Sequence, residues 1–567
     1  VQQHVFTIAK VCKEFGVEEA IICPGSRSAP LVYAFTQIAG INCRSVVDER
    51  SAGFVALGMA QQSKRPVVLI CTSGTALLNF FPAVAEAFYQ KVPLLILSAD
   101  RPPELLNQQD GQMIMQKNVF GKHVNASHEL LCFDEGKVDY ALTERIVLGA
   151  LFETIFSAGK GPVHINVPLR EPLYPKDIKP NIPRLHQFKD LGNAPIAMPS
   201  GKLDELKGAW LKAQRKLVIV GLGPEDKSLG LALNKIVNQS DVVILADIVS
   251  NQLESSNIKN FDALVQYADS EILKSLEPDL IISIGGPLVS KSLKNWLKSC
   301  KPEWHFRIAT ETNTINTYQN LTEFIRAVPV EFLNAFIAIT RFNKPSSRQY
   351  SGLWKIYSEK TQEIQKEYLK NVVWSEPYAI DFLLKSIHGP AQIQLANSGS
   401  IRFVSWLANV PADISVFGNR GTSGIEGSVS TAIGAALINP EETVVLICGD
   451  LSLLYDRNAF WQNELPLNLK IVLLNNFGGR IFEWIDGPSS QPDYLEFFTT
   501  PHNRNIEFLT AEFRIPHYIC KSANEMTEKL ASFLSPDTGL AIMELQFEYI
   551  ENLEAIRLFK SLQIINQ

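Results

Sequence analysis

Cysteine is scarce in this chain: eight residues in 567, dispersed, with no CxxC pair among them. That pattern excludes a disulfide framework. Cys23, Cys71 and Cys448 lie inside or beside strongly apolar runs, where a thiol behaves as a small hydrophobe. Nine histidines occur singly, with no HExxH and no His-rich tract, which argues against a zinc enzyme. No apolar run approaches the ~18 residues that span a bilayer. The opening VQQHVFTIAKVCKEFG lacks the apolar stretch of a signal peptide. Charge of one sign is missing too: 53 basic against 59 acidic residues leave a net −6, which argues against a general nucleic-acid binder. A cytoplasmic protein that engages neither membrane nor nucleic acid is expected. Any anion site must then be a local concentration of Arg and Lys.

What the chain does contain is an ordinary globular balance, 46% hydrophobic and 20% charged. Its length suits about three domains, with apolar material for several cores. Short β-branched runs alternate with longer amphipathic stretches. Glu19–Cys23, Val67–Cys71, Leu94–Ala99, Val163–Val167, Leu217–Val220, Val242–Ala246, Leu280–Ile284, Val444–Cys448 and Ile471–Asn475 read as buried strands. Near-continuous Val/Ile/Leu runs at helix-sized intervals suit strands covered on both faces, the condition of a parallel sheet. The expected fold class is α/β, with doubly wound parallel sheets. Proline-rich residues 168–200 read as a linker. A second boundary falls near 340–375, where NKPSSRQYSG precedes a long polar helix from Leu353 to about Leu369. Domains at 1–180, 195–345 and 360–567 follow. The first and third look alike in organisation, as a duplicated ancestry would leave them.

Two segments carry the clearest chemistry. Gly449-Asp450 follows the run VVLIC, and Asn475-Asn476-Phe477-Gly478 closes the run IVLLN. Both end a parallel strand, where open α/β sheets place their ligands. An Asp carboxylate, an Asn amide oxygen and a free backbone carbonyl are hard oxygen ligands suited to Mg²⁺, with diphosphate oxygens completing the octahedron. Glycine lets the backbone approach phosphates closely. Gly-Asp and Asn-Asn are also common turn residues at strand ends. Asp450 and Asn476 together, 26 positions apart across one helix and one strand, are the stronger signal. Arg27, Arg101, Arg402 and Arg420 form a second concentration. All fall in turns or at helix starts after strands, in segments otherwise short of charge, and guanidinium forks suit carboxylates. Loose surface salt bridges are the plain alternative.

The spacing resembles the GDG…NN signature of thiamine diphosphate enzymes, with Leu451 in place of the third glycine. In the first domain, Cys23-Pro24-Gly25-Ser26-Arg27-Ser28, Asp48-Glu49-Arg50 and Thr72-Ser73-Gly74-Thr75-Ala76 occur in order after strands. That order resembles the pyrimidine-binding domain of the decarboxylase-type thiamine diphosphate family. CPGSRSAPL, DERSAGFVALG, SADRPPEL, NRGTSGIEG and GDLS…NNFGGRIF are similar to the branch that decarboxylates 2-oxoglutarate and adds the carbanion to isochorismate in menaquinone biosynthesis. The likeness runs through domains one and three and matches the middle domain only in outline.

The resemblance implies three doubly wound domains: pyrimidine-binding, central without nucleotide, and diphosphate-binding. It implies thiamine diphosphate with Mg²⁺ or Mn²⁺, the metal held by Asp450, Asn476 and Gly478. Glu49 would be the essential carboxylate on N1′ of the aminopyrimidine, promoting the imino tautomer that takes the C2 proton. The other cofactor contacts would be Ser73, Gly74, Gly449, Leu451 and Ser452, with Ile425 beneath the two rings. Ser398, Arg402 and Arg420 would hold 2-oxoglutarate, and Ser26, Arg27, Arg101, Gln112 and Lys291 would face isochorismate. Ile481 and Phe482 would wall the cofactor. Two positions depart from the family's pattern: Gly111 stands where Asn is usual, and Ser292 where Arg is usual. A homodimer or homotetramer would share each site between subunits.

Other readings stay open on the residues alone. A different thiamine diphosphate-dependent 2-oxoacid decarboxylase or acetolactate-type carboligase is one, although the paired HH of the pyruvate decarboxylase type is absent. A nucleotide-binding scaffold that kept the fold without the chemistry is the other. Gly221-Leu222-Gly223 after KLVIV is a lone GxG, a weak dinucleotide fingerprint.

Overall fold

The computed structural model describes residues 4–133, 138–156, 159–174, 200–254, 257–311, 314–340, 347–491, 493 and 495–565. Most of the expected linker at 168–200 lies outside the described residues. Three parallel sheets are stacked along the chain. The first holds β1 (Glu19–Ile22), β2 (Asn42–Ser45), β3 (Val67–Cys71), β4 (Leu94–Asp100), β5 (Ala126–Glu129) and β6 (Val163–Pro168), in spatial order β2-β1-β3-β4-β6-β5. The second holds β7 (Lys216–Val220), β8 (Val242–Ala246), β9 (Leu280–Ile284), β10 (Trp304–Ala309) and β11 (Glu323–Arg326), ordered β11-β10-β9-β7-β8. The third holds β12 (Ala391–Leu395), β13 (Ser415–Gly418), β14 (Thr443–Gly449), β15 (Leu469–Asn475), β16 (His517–Cys520) and β17 (Ala541–Gln546), ordered β13-β12-β14-β15-β17-β16. The first and third orders are the same once renumbered.

The apolar runs become the central strands because both of their faces are buried. Every residue of β3, β4, β8, β9 and β15 is buried. In each sheet the strand order reverses direction beside the first strand, which opens a crevice at the strands' carboxyl ends. Those crevices lie between β1 and β3, β7 and β9, and β12 and β14.

The long helix at the second boundary runs from Gln349 to Asn371, beginning before Leu353. It is less polar in function than in composition. Tyr350, Trp354, Ser358, Thr361, Gln365 and Tyr368 recur at helical spacing and are buried. Tyr350 Oη donates to the Leu276 carbonyl (2.8 Å), Gln365 Nε2 to that of Trp406 (2.9 Å) and Tyr368 Oη to that of Ala555 (2.7 Å). The helix is therefore a strut between the second and third sheets.

The first and third sheets share one hydrophobic cluster, in which Val55, Met59, Val429, Ile433 and Ala436 meet. Its centre is the crossing of the helices Glu49–Ser63 and Ser428–Ile438. A Cβ at Gly58 would lie well under 3.0 Å from the Thr431 carbonyl oxygen, and one at Gly434 equally close to that of Val55. Gly58→Ala and Gly434→Ala should each lower the melting temperature by several degrees, as overpacking of roughly 1–3 kcal/mol implies. Gly208→Ala, in an exposed helical position with nothing within 4 Å of its Cβ, should instead stabilise by up to ~1 kcal/mol. Equal melting of all three variants would refute the steric reading.

Candidate active site

The first crevice carries the carboxylate. Asp48 caps the helix Glu49–Ser63, accepting from the backbone N–H of Arg50 (2.9 Å) and Ser51 (3.4 Å). This fixes Glu49 at the helix start, half-buried near Cys23 and Cys71. Burial raises the Glu49 carboxyl above its ordinary range, and neighbouring Asp48 pushes the same way. Across the crevice, Ser73 Oγ is buried without a partner among the described residues. Gly74 takes φ +87°, and its N–H donates to Gln116 Oε1 at 2.8 Å. Gln116 Nε2 in turn donates to Asn166 Oδ1 (2.8 Å), and Asn166 Nδ2 to Asp100 Oδ2 (2.8 Å). A buried polar chain thus holds the Gly74 turn.

Ser26 is exposed on the loop after β1, while Arg27 is buried. Arg27 Nη1 donates to the Leu169 carbonyl (3.1 Å) and lies 3.2 Å from Glu171. Arg101 folds over the next loop, its Nε on the Gly111 carbonyl (3.1 Å) and its Nη1 3.1 Å from Asp110. Gln112 packs its backbone against Gly74, at 3.0 Å from where a Cβ would stand. Ser26, Arg27, Arg101 and Gln112 are therefore grouped on the first sheet's carboxyl edge.

The third crevice is a cavity of about 270 Å³. Ser398, Ile425, Gly449, Asp450, Leu451, Ser452, Asn476, Gly478, Ile481 and Phe482 all line it. Among the described residues, its lining draws nothing from the first sheet. Asp450 is 2% exposed, its Oδ1 accepting from Leu451 N–H (2.7 Å) and its Oδ2 from Gly478 N–H (2.8 Å). Asn476 Oδ1 is buried and has no partner among the described residues. Gly478 takes φ +149°, and a Cβ there would stand 2.7 Å from the Thr499 carbonyl. No cluster of three or more His, Cys, Asp or Glu suited to a metal occurs among the described residues. One carboxylate, one orphaned amide oxygen and backbone carbonyl still make a hard-oxygen set that fits Mg²⁺ carrying diphosphate oxygens. Ile425 is 38% exposed at the cavity, so it is no ordinary core isoleucine.

Arg402 and Arg420 are half-buried beside this cavity, within electrostatic reach of buried acids of the second sheet's domain. Asp262 lies near Arg402, and Asp247 near Arg420; each acid lies deeply buried. Burial lifts the Asp247 carboxyl to about 6. Arg420 Nη1 donates to Asn397 Oδ1 at 2.6 Å, and its Nε is buried without a partner among the described residues. Lys291 is exposed at the start of the helix Lys291–Ser299, within electrostatic reach of Asp486. Ser292, where the family pattern has Arg, donates to Gln266 Oε1 at 2.8 Å.

Sequence reasoning missed three residues here. Lys294 is half-buried, and burial together with the charges of Arg420 and Arg402 lowers its pKa. His502 Nε2 is 3.1 Å from Asp450 Oδ2. Glu376 lines the cavity, and burial lifts its carboxyl to about 7, with Asp450's charge adding to the effect. None sits in a recognisable local motif; each arrives from a distant segment.

A larger cavity, about 420 Å³, lies at the ends of β7, β9 and β10 beside Gly221 and Gly223. A Cβ at Gly221 would collide with the Gly286 carbonyl, so this glycine is required by backbone contact. Asp226 already caps the following helix, accepting from Ser228 (2.9 Å) and Leu229 (3.0 Å) where a dinucleotide fold places pyrophosphate.

The two outer crevices are tied together within the chain. Arg50 Nη2 donates to the Tyr455 carbonyl (2.7 Å) with its guanidinium over the Tyr455 ring, and Asn458 Nδ2 donates to Asp48 (2.8 Å). Between them, buried Asp456 accepts from Ser430 N–H (2.7 Å) and Oγ (2.8 Å).

Family models for "Thiamine pyrophosphate enzyme, N-terminal TPP binding domain" and its C-terminal counterpart match residues 5–122 and 402–545. The structure is similar to crystalline benzoylformate decarboxylase from Polynucleobacter necessarius, with TM-score 0.70 at 14% identity over 96% of this chain and 98% of that one. Fold and site together define a thiamine diphosphate-dependent enzyme. Among curated relatives, the 2-succinyl-5-enolpyruvyl-6-hydroxy-3-cyclohexene-1-carboxylate synthase of Cytophaga hutchinsonii is 38% identical, with 98% of each chain covered. Those of Flavobacterium psychrophilum (35%, 98% of each) and Desulfotalea psychrophila (37%, 96% of this chain and 98% of the other) bear the same name. The chain belongs to this synthase family, a thiamine diphosphate-dependent carboligase family of menaquinone biosynthesis. Among the described residues no helix is long and apolar enough to cross a membrane.

Burial lifts the Asp456 carboxyl to about 7, whereas in the unfolded chain it titrates near ~3.9. The folded state therefore holds more protons across that window, and stability falls as pH rises through it. Asp456→Asn should flatten this fall in melting temperature between about pH 4 and 7 relative to the parent. An unchanged slope would assign the titration to another group.

Proposed function

We propose that the enzyme decarboxylates 2-oxoglutarate and adds the resulting four-carbon carbanion to isochorismate, forming the product in its relatives' name. The observation that carries this is the pair Arg402 and Arg420, half-buried beside the oxygen-rich cavity. Arg402 belongs to the helix Gly399–Leu407 that Ser398 begins, and Arg420 reaches Asn397 in the same lining. Two guanidiniums with Ser398 suit the two carboxylates of 2-oxoglutarate better than a monocarboxylic 2-oxoacid. Bound thiamine diphosphate supplies the electron sink for losing CO₂ and for the transfer that follows. Asp450, Asn476 and the Gly478 carbonyl would hold Mg²⁺ or Mn²⁺ on its diphosphate, with Gly449, Leu451 and Ser452 alongside. Glu49 would hold the proton at the aminopyrimidine N1′, a task its raised pKa suits. Ser73 and Gly74 would border that ring, Ile425 would support it, and Ile481 and Phe482 would keep water from it. Ser26, Arg27, Arg101, Gln112 and Lys291 would bind and orient isochorismate.

On this reading the functional domains are 1–180, 195–345 and 360–567, and the enzyme works in the cytoplasm. Mass spectrometry after incubation with 2-oxoglutarate and isochorismate should find the synthase product together with CO₂. CO₂ release from pyruvate in preference to 2-oxoglutarate would overturn the reading in favour of another carboligase.

The same reading makes the site a shared one, in a homodimer or homotetramer. Glu49 faces the first crevice while the Asp450 cavity takes no lining from that sheet. Facing the two crevices across a two-fold axis completes both sites at once. Glu49→Gln and Asp450→Ala, each inactive, should therefore complement when their subunits exchange. Equal amounts give about half mixed dimers, each with one intact site, so roughly a quarter of parental activity should return. No recovery, with exchange and assembly verified by light scattering, would exclude the shared site.

A further inference from the structure

Asn476 can serve a cation only if its amide oxygen faces the cavity, and an asparagine side chain can turn either edge inward. Three hydrogen bonds decide the matter. Glu376 opens the helix Glu376–Ser386 and is 3% exposed. Its backbone N–H donates to Asn552 Oδ1 at 2.9 Å, which fixes that amide with its Nδ2 edge toward the Glu376 side chain. Asn552 Nδ2 accordingly donates to Glu376 Oε2 at 2.9 Å. The second carboxylate oxygen, Oε1, lies 3.2 Å from Asn476 Nδ2. The ionised Glu376 carboxylate offers only acceptors, so in that form the opposite edge of Asn476 would set oxygen against oxygen there. The Asn476 Oδ1 is thereby turned away from Glu376 and left buried without a partner among the described residues, on a side chain that lines the cavity with Asp450.

We infer that Glu376, latched by Asn552, is the positioning residue that holds the Asn476 amide oxygen toward the cofactor's divalent metal. The inference rests on the reading that Asp450 and Asn476 hold that metal. On this inference Glu376 is not itself a ligand: both of its carboxylate oxygens are occupied by the Asn476 and Asn552 amides, and it acts through Asn476, as residues behind a metal ligand commonly do. The Asn-Asn motif names the ligand but not the residue that orients it, because Glu376 and Asn552 lie in distant parts of the chain.

The test uses the whole chain with thiamine diphosphate, reading Mn²⁺ uptake from the free-ion electron paramagnetic resonance signal. Glu376→Gln should weaken uptake roughly 10–100-fold, the usual effect of losing such a partner. The double variant Glu376→Gln with Asn476→Asp should restore it to near the parental value. There the Gln amide donates to one Asp oxygen, its carbonyl still accepts from Asn552, and the other Asp oxygen faces the metal. A merely structural Glu376 gives no reason for that rescue. Unchanged uptake in Glu376→Gln, or a double variant no better than the single one, would overturn the inference. So would a double variant that does not melt cooperatively, since Glu376 would then be a folding residue. Asp450→Ala separates the two layers. If it too leaves Mn²⁺ uptake intact, the metal reading itself fails; if it alone abolishes uptake, only the role of Glu376 does.

Discussion

Two helices can approach until backbone meets backbone only where each presents a glycine to the other. Gly58 and Gly434 do so, with the Thr431 and Val55 carbonyls standing where their side chains would be. This closeness lets the first and third sheets, more than 300 residues apart in sequence, share one apolar cluster. The elements proposed for catalysis hang from it. Glu49 is the first residue of one crossing helix, and its neighbours Arg50 and Asp48 bind the last residue of the Asp450 helix and the segment after it. A shift at the crossing would therefore move the carboxylate and the oxygen-ligand cavity together.

Buried charge around the site follows a consistent physical pattern. Asp450, Asp247, Asp262 and Asp456 are all nearly inaccessible, and each carboxylate receives N–H or O–H donors. Removing such charges from water is tolerated only with partners of this kind. Asp262 and Asp247 lie within electrostatic reach of Arg402 and Arg420 and offset part of the cost of burying those guanidiniums. The Arg420 Nε is buried without a partner among the described residues.

Legibility in the sequence tracked burial on both faces. Val67–Cys71, Val242–Ala246 and Leu280–Ile284 are read to the residue because continuous apolar runs admit few alternatives. The edge strands β2 (NCRS) and β5 (ASHE) escape, since one flank meets solvent and polar residues suffice. Fully or largely buried β12 and β17 also escape, for another reason: Gln392, Gln394 and Glu544 interrupt the pattern. Those side chains are satisfied inside, Gln394 by Gln392 (3.0 Å) and Glu544 by Asn475 (2.6 Å) and His517 (2.8 Å). The same limit governs the site. Residues at strand ends, such as Ser398, Asp450 and Asn476, stand out in the sequence because turn chemistry and ligand chemistry coincide there, and the fold brings all three into one cavity. Glu376, Lys294 and His502 are brought there by contacts that only the folded chain creates.

The matching strand orders of the first and third sheets give the helix crossing a further meaning. The helix Glu49–Ser63 connects β2 to β3, and Ser428–Ile438 connects β13 to β14, the corresponding strands of the third sheet. Equivalent helices thus pack on each other. Their contacts are reciprocal as well: Gly58 meets Thr431, three residues before Gly434, and Gly434 meets Val55, three residues before Gly58. Self-complementary contact of this kind is what a two-fold dimer interface requires, here enclosed within one chain. Duplication of a single unit that paired with its own copy accounts for both the topology and the reciprocity. The two crevices differ in their side chains: the first has Glu49 at a helix start, and the third has Asp450, Asn476 and the Gly478 turn.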